Sequence, residues 1–165
     1  MARRLSALLV VAALAVACGP EVNLTQTLEV TDVLTGWYDN GIVPCYGNPS
    51  MQCTGLLPSI MFRLKNKGTE EVNRVQLTVA YWRDGDDGAY DEQLVQGIGP
   101  DYLKPGATSE ALVVRAPHGF TLEGARADFF QHSLFRDTTV KLFARKSGEL
   151  FKIGEFKIDR RILPH

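Results

Sequence analysis

Histidine and cysteine are scarce in this chain, and neither sign of charge dominates it. Its 3 histidines stand at His118, His132 and His165, without the paired spacing that a metal centre requires. No serine lies in a Gly-x-Ser-x-Gly context and no glycine-rich phosphate loop is present. The formal net charge is −1, so there is no basic field for nucleic acid and no polybasic lipid patch in the linear sequence. Beyond the N-terminus no segment of the 165 residues carries a convincing amphipathic helical period. The paired carboxylates Glu70 and Glu71 sit in an expected turn, which suits solubility rather than acid–base work. These absences leave no residues for an enzymatic function and imply no cofactor.

What the chain does have begins at its start. Arg3 and Arg4 precede an apolar run, Leu5 to Ala17, that is short for a bilayer span. Small residues then lead to a cysteine, in the order Leu14-Ala15-Val16-Ala17-Cys18. A charged start, a short apolar run and a small-residue end read as a secretion signal. More specifically, these residues resemble the lipobox of bacterial lipoproteins, although that family prefers Leu where Ala15 stands. The resemblance implies cleavage before Cys18 and acylation, palmitate included, of that residue. The other reading is an ordinary signal peptide cut near Ala17. Acyl chains contribute about 0.8 kcal/mol per buried CH₂, so two or three would hold the protein on the membrane. By the same resemblance, Gly19 after the cysteine favours outer-membrane sorting in a two-membraned host. The expected organisation is a signal over 1–17, a tether over 18–23 and one domain over 24–162.

With Cys18 assigned to lipid, Cys45 and Cys53 remain, and two cysteines in an exported chain read as one disulfide. They fall in Gly36 to Leu57, a segment that reads as a long irregular loop which the bridge ties down. Setting Arg3 and Arg4 aside leaves 16 basic against 19 acidic side chains, a net charge of −3.

The domain is organised around Ser59 to Trp82. Ile60, Phe62 and Leu64 alternate with Met61, Arg63 and Lys65; Val75, Leu77, Val79 and Tyr81 alternate with Gln76, Thr78, Ala80 and Trp82. Period-two alternation on both sides of a Gly-containing turn predicts two antiparallel strands with apolar faces that a second sheet must cover. Further strands are expected over Leu28–Thr35, Leu94–Ile98, Thr108–Ala116, Ala125–Phe130, Val140–Arg145 and Leu150–Ile158. Asp32 on an apolar face predicts a bulge, as does Gly154. Ser147-Gly148 predicts a two-residue hairpin turn.

Phe62-x-Leu64-x-Asn66-x-Gly68, the following apolar strand and the later Leu103-x-Pro105-Gly106 turn resemble bacterial immunoglobulin-like and fibronectin-type-III-like modules. The fold so implied is all-β, an immunoglobulin-like antiparallel β-sandwich of seven or eight strands. The resemblance carries no functional residue with it.

Two surfaces invite a functional reading. Trp37 and Tyr38, beside the disulfide loop, together with Trp82 on an outer strand face, form the candidate binding surface; the alternative is that Trp37 caps the core. Asp84, Asp86, Asp87 and Asp91 begin like a calcium loop, but Val95 stands where the twelfth-position glutamate belongs, so a solvated turn is the simpler reading. The expectation is a non-enzymatic, membrane-anchored envelope lipoprotein that contacts an envelope protein. A carbohydrate- or small-ligand-binding module using Trp37 to Cys53 is the alternative. If Cys18 is the acylated first residue, the intact mass of membrane-extracted protein exceeds that of chain 18–165 by two or three acyl chains. A soluble mature protein with an unmodified Cys18 contradicts this.

Overall fold

The computed structural model describes residues 23–124 and 126–164; the signal segment, Cys18, Gly19 and His165 lie outside them. Eight strands run in the order β1 (Leu28–Cys45), β2 (Asn48–Asn66), β3 (Val75–Arg83), β4 (Asp91–Ile98), β5 (Leu112–Arg115), β6 (Phe120–Leu122), β7 (Thr138–Lys146) and β8 (Glu149–Lys157). They form two antiparallel four-stranded sheets. One has the order β1-β2-β5, with β6 also paired to β2, and the other the order β4-β3-β7-β8. The fold is therefore the expected all-β sandwich. One short helix, α1 (Leu24–Thr27), precedes β1; Asn23 caps it by accepting the Thr25 N–H at 3.0 Å, and Leu24 is fully buried.

The Ser59–Trp82 pattern holds at the level of faces. Phe62, Leu64, Val75, Leu77 and Val79 are all buried, while Gln76 is exposed and Arg63, Lys65 and Thr78 are half-buried. The two strands are not partners, however. β2 pairs β1 and β5, whereas β3 pairs β4 and β7, so residues 67–74 cross from one sheet to the other. Alternation reports which face is buried and says nothing about which strand lies alongside.

Three expected features appear in place. Asp32 adopts φ 52° where the β1–β2 register shifts between Thr31 and Leu34, a bulge that turns its carboxylate outward. A second register shift leaves Ile153 unpaired beside Gly154. Ser147 and Gly148 both take positive φ, the geometry of a tight hairpin turn.

Two expectations fail. Gly36–Leu57 is not an irregular loop but the continuation of β1 and β2 into a long hairpin closed by Tyr46-Gly47. Its alternation is hidden because residues 35–37 and 53–56 are buried on both faces, whereas 46–52 are exposed on both. A period of two needs one wet face and one dry face. Ala125–Phe130 is likewise not a strand, since Arg126–Gln131 forms a 3₁₀ turn. Phe129 is fully buried and its neighbour Phe130 also packs on the core, an arrangement that the tight 3₁₀ turn provides.

The sheets are tied together at three places. The Asn66 amide is fully buried and fully bonded. It donates to the carbonyls of Glu70 and Leu103, each at 2.8 Å, and accepts the Gly68 N–H at 2.9 Å. It thereby holds the crossover against the Leu103–Gly106 turn, and an unbonded amide there would cost about 1–3 kcal/mol. Tyr81, buried in β3, donates its hydroxyl to the Val114 carbonyl of β5 at 3.0 Å, and burial holds that phenol well above its ordinary pKa. The C-terminal segment returns to β1, where the Trp37 N–H donates to Arg161 O and the Leu163 N–H to Trp37 O, both at 2.8 Å. Gly36 permits that approach, since a Cβ there would stand 2.8 Å from the Leu163 side chain and 3.0 Å from Arg161 O.

Phe62→Ala is expected to cost about 3–5 kcal/mol of stability, and Gln76→Ala less than about 0.5 kcal/mol. Denaturant unfolding of the two variants checks this, and equal penalties would contradict the register.

Candidate functional site at the tip of the sandwich

The site is built by the far halves of β1 and β2. β6 covers β2 at Thr54 to Leu56, and beyond Thr54 the hairpin pairs only with itself among the described residues. A free two-stranded ribbon is marginally stable in water. This one is fixed at its base by the sandwich and near its tip by the Cys45–Cys53 disulfide, whose Cα atoms lie 5.0 Å apart. The bridge closes a loop around the Tyr46-Gly47 turn, and chain entropy puts its stabilisation at roughly 2–3 kcal/mol. The arm carries large apolar side chains in water: Ile42 is 63% exposed, Tyr46 98% and Met51 39%. A groove of about 720 Å³ runs beside it, lined by Tyr46, Leu57, Pro117, Phe120, Leu134 and Arg136 among others. Gly119 lets the far wall approach, for a Cβ there would fall 1.9 Å from Leu56 O.

Charge around the groove is organised in pairs. The His118 backbone N–H donates to Asp91 Oδ2 at 2.8 Å and its ring Nδ1 lies 3.2 Å from the same oxygen. This one carboxylate meets both the backbone and the ring of His118, so the pair fixes the loop at His118 to the start of β4. Arg136 meets Asp86 at 2.8 Å and also donates to Asp84 O. Arg83 lies 4.0 Å over the Tyr90 ring, and burial pushes the Tyr90 hydroxyl up to about 12. Asp137 receives Arg160 Nε at 2.7 Å and Lys157 Nζ at 2.8 Å; the Arg160 hydrogen bond, then that of Lys157, holds its carboxyl below the usual range.

The candidate residues chosen from sequence do not form one surface. Trp37 is 2% exposed and packs on Phe130 and Phe135, with ring centroids 6.4 and 5.0 Å away, so it caps the core and is not an accessible anchor. Tyr38 is half-buried beneath the Arg115 guanidinium, 3.6 Å from its ring. Trp82 belongs to the other sheet, on its outer face under Lys141, 4.2 Å away. Adjacent residues on a strand point to opposite faces, so Trp37 and Tyr38 could not have shared a surface. The calcium candidates also separate, Asp86 turning to Arg136 and Asp91 to His118. Among the described residues no group of three or more His, Cys, Asp and Glu is placed to hold a metal. The bridge between Cys45 and Cys53 is present as expected, and Cys18 lies outside the described residues.

Sequence reasoning pointed to the Trp37–Cys53 region but did not single out Ile42, Tyr46 and Met51 within it, and it missed Leu134. A signal for the arm was available, because two residues of turn type, Gly47-Asn48, lie between the two cysteines. The chain matches no protein-family model and no curated protein.

Asp137 yields a pH prediction with a definite sign. Its folded pKa lies below the ordinary aspartate value of about 3.9, so its pairing stabilises the fold in full above that value and is lost as pH falls through the lower, folded one. Arg160 and Lys157 are more than half exposed, and solvent screening keeps the effect small. Asp137→Asn is expected to lower the denaturant midpoint at pH 7, and the gap to the parent should narrow steadily as pH falls through the depressed carboxyl pKa; a gap that does not narrow on acidification would contradict the assignment.

Proposed function

We propose that this chain is a membrane-anchored envelope lipoprotein, held by acyl chains on Cys18, that acts without catalysis by presenting its disulfide-tipped arm to a partner protein. The observation that carries the reading is the polarity of β1. The strand starts at Leu28, next to the short helix whose buried Leu24 pins the end of the 18–23 tether, and ends at Cys45 near the arm tip. Eighteen strand residues span up to about 60 Å, whereas the tether reaches at most about 20 Å. An anchored domain therefore keeps one end at the bilayer and holds Ile42, Tyr46 and Met51 away from it. Exposed apolar side chains on a stiffened ribbon lose little entropy on docking, which suits a protein contact. Gly19, by the resemblance noted above, favours the outer membrane of a two-membraned host.

A second reading has its own support. The groove beside the arm falls within the usual size range of small-ligand sites and combines aromatic with charged lining, so a carbohydrate or other small ligand is the alternative occupant.

Photo-crosslinking in intact envelopes separates the two. A photoreactive residue at Tyr46 is expected to give one discrete protein adduct, and one at Leu150, half exposed near the tether end, to give none. Tyr46→Ala should weaken partner binding by about 2 kcal/mol, roughly thirtyfold, and leave stability within about 0.5 kcal/mol. Saturable sugar binding without an adduct would favour the groove reading.

A further inference from the structure

Most described cations have a specific side-chain or ring partner, and those without one gather in one region. Among the described residues, Lys65, Lys67, Arg74, Lys104, Arg145 and Lys146 make no ion pair, hydrogen bond from the side chain or ring contact. Strand register places all six at one end. Leu28 pairs Asn66, Val75 pairs Ile98, Gln76 pairs Arg145 and Lys146 pairs Glu149. That end also receives the tether, since Lys67 N donates to Thr27 O at 2.9 Å and α1 packs on β8.

Three of the six line a hollow of about 370 Å³. Arg74, Arg145 and Lys146 stand around it with the amides of Gln76 and Gln96 and the turn Ser147-Gly148, and its lining contains no carboxylate. Gln76 lies opposite both Arg145 and Gln96 in the register, so its amide flanks the Arg145 guanidinium on the sheet surface, while the Gln96 amide nitrogen is committed to Val75 O and Ile98 O and only forms part of the wall. Arg74 comes from a different segment, fixed by its N–H to Gly99 O at 2.9 Å. Glu70, Glu71, Asp101 and Glu149 occupy the same end outside the hollow, so the positive field is local to it. Two guanidiniums, one ammonium and the Gln76 amide around one hollow without a counter-charge are the chemistry of an oxyanion site; Arg in particular matches phosphate by its paired donors.

We infer that this hollow binds a phosphate group, and that its source is the headgroup of an anionic phospholipid in the membrane to which the tether leads. The choice of source rests on the proposed anchor. The phosphate site does not, because its geometry lies wholly within the domain. The hollow is roomy for a bare phosphate and admits the glycerol esterified to it. Its occupation gives the anchored domain a second foothold and directs the arm outward, in the way that one lipid signal is reinforced by nearby basic residues.

The test uses the acylated protein extracted from membranes. Backbone hydrogen exchange at Arg74 and Arg145–Gly148 is followed in phosphatidylcholine vesicles, in vesicles with added phosphatidylglycerol, and in neutral micelles with dissolved glycerol phosphate. Exchange is expected to slow in the phosphatidylglycerol vesicles relative to phosphatidylcholine alone. The double variant Arg74→Gln/Arg145→Gln should weaken the response roughly tenfold or more, and added salt should weaken it further. Both arginines are exposed, so the double variant keeps the parent's unfolding midpoint. Slowing by dissolved glycerol phosphate but not by the anionic vesicles would keep the site and overturn the lipid source. No slowing in either arm, or slowing that persists in the double variant, would overturn the site. A protein that leaves neutral vesicles altogether refutes the anchor instead, and the dissolved-phosphate arm still decides the site.

Discussion

The backbone ladder between β1 and β2 is the constraint on which the rest of this molecule depends. The same two strands are sandwich at one end and free arm at the other. A two-stranded ribbon alone does not hold its shape in water. Here its inner half is buried under the second sheet, with Leu56, Ile60, Phe62 and Leu64 removed from solvent, and the ladder carries that order outward to Tyr46. The Cys45–Cys53 bridge does for the tip what the core does for the base. Any change that breaks the ladder near Asp39–Ile42, where a register shift already bends it, uncouples the arm from the domain.

The other fastenings make sense as support for that ladder. β1 is an edge strand, and its exposed side at Trp37 is covered by the returning segment 161–163 rather than left open. Thr35 bonds the same segment through its carbonyl, which accepts Arg161 Nε at 2.8 Å, and its hydroxyl donates to Lys157 O at the end of β8 at 3.0 Å. Asn66 and Tyr81 fix β2 and β3 across the two layers through single buried polar groups, each fully bonded. The aromatic group of Trp37, Phe120, Phe129, Phe130 and Phe135 then plugs the sandwich where the arm leaves it. The result is a molecule with two unlike ends, one with α1 and the basic hollow, the other with the arm and its exposed Ile42, Tyr46 and Met51.

How much of this could be read beforehand follows from what each signal measures. The core faces of β2 and β3 were legible because each has one wet and one dry side. So were the Asp32 bulge and the Ser147-Gly148 turn, which are local conflicts between residue type and pattern. Sheet partnership was not legible, because side-chain period carries no information about neighbours. The arm was missed for a related reason: its residues are buried on both faces near the base and exposed on both near the tip, so the period vanishes. The aromatic pair at 37–38 drew notice as residue types, yet strand geometry sends one ring into the core and the other under Arg115. The basic hollow could not be seen at all. Arg74, Gln96 and Arg145 lie far apart in the chain, and only the β4-β3-β7 register brings them together.

The central claim is that the arm is an ordered extension of the sandwich, stiffened at its tip by the disulfide. Amide hydrogen exchange over residues 42–53, measured with the bridge intact and after selective reduction, tests it most directly. The account predicts that cross-strand amides of the intact arm are protected. Reduction should speed their exchange by roughly tenfold or more, as loss of a small closed loop implies, while the amides of Phe62, Leu64, Val79 and Leu142 stay unchanged. Free exchange throughout the arm with the bridge intact, or loss of protection in the core on reduction, would contradict it.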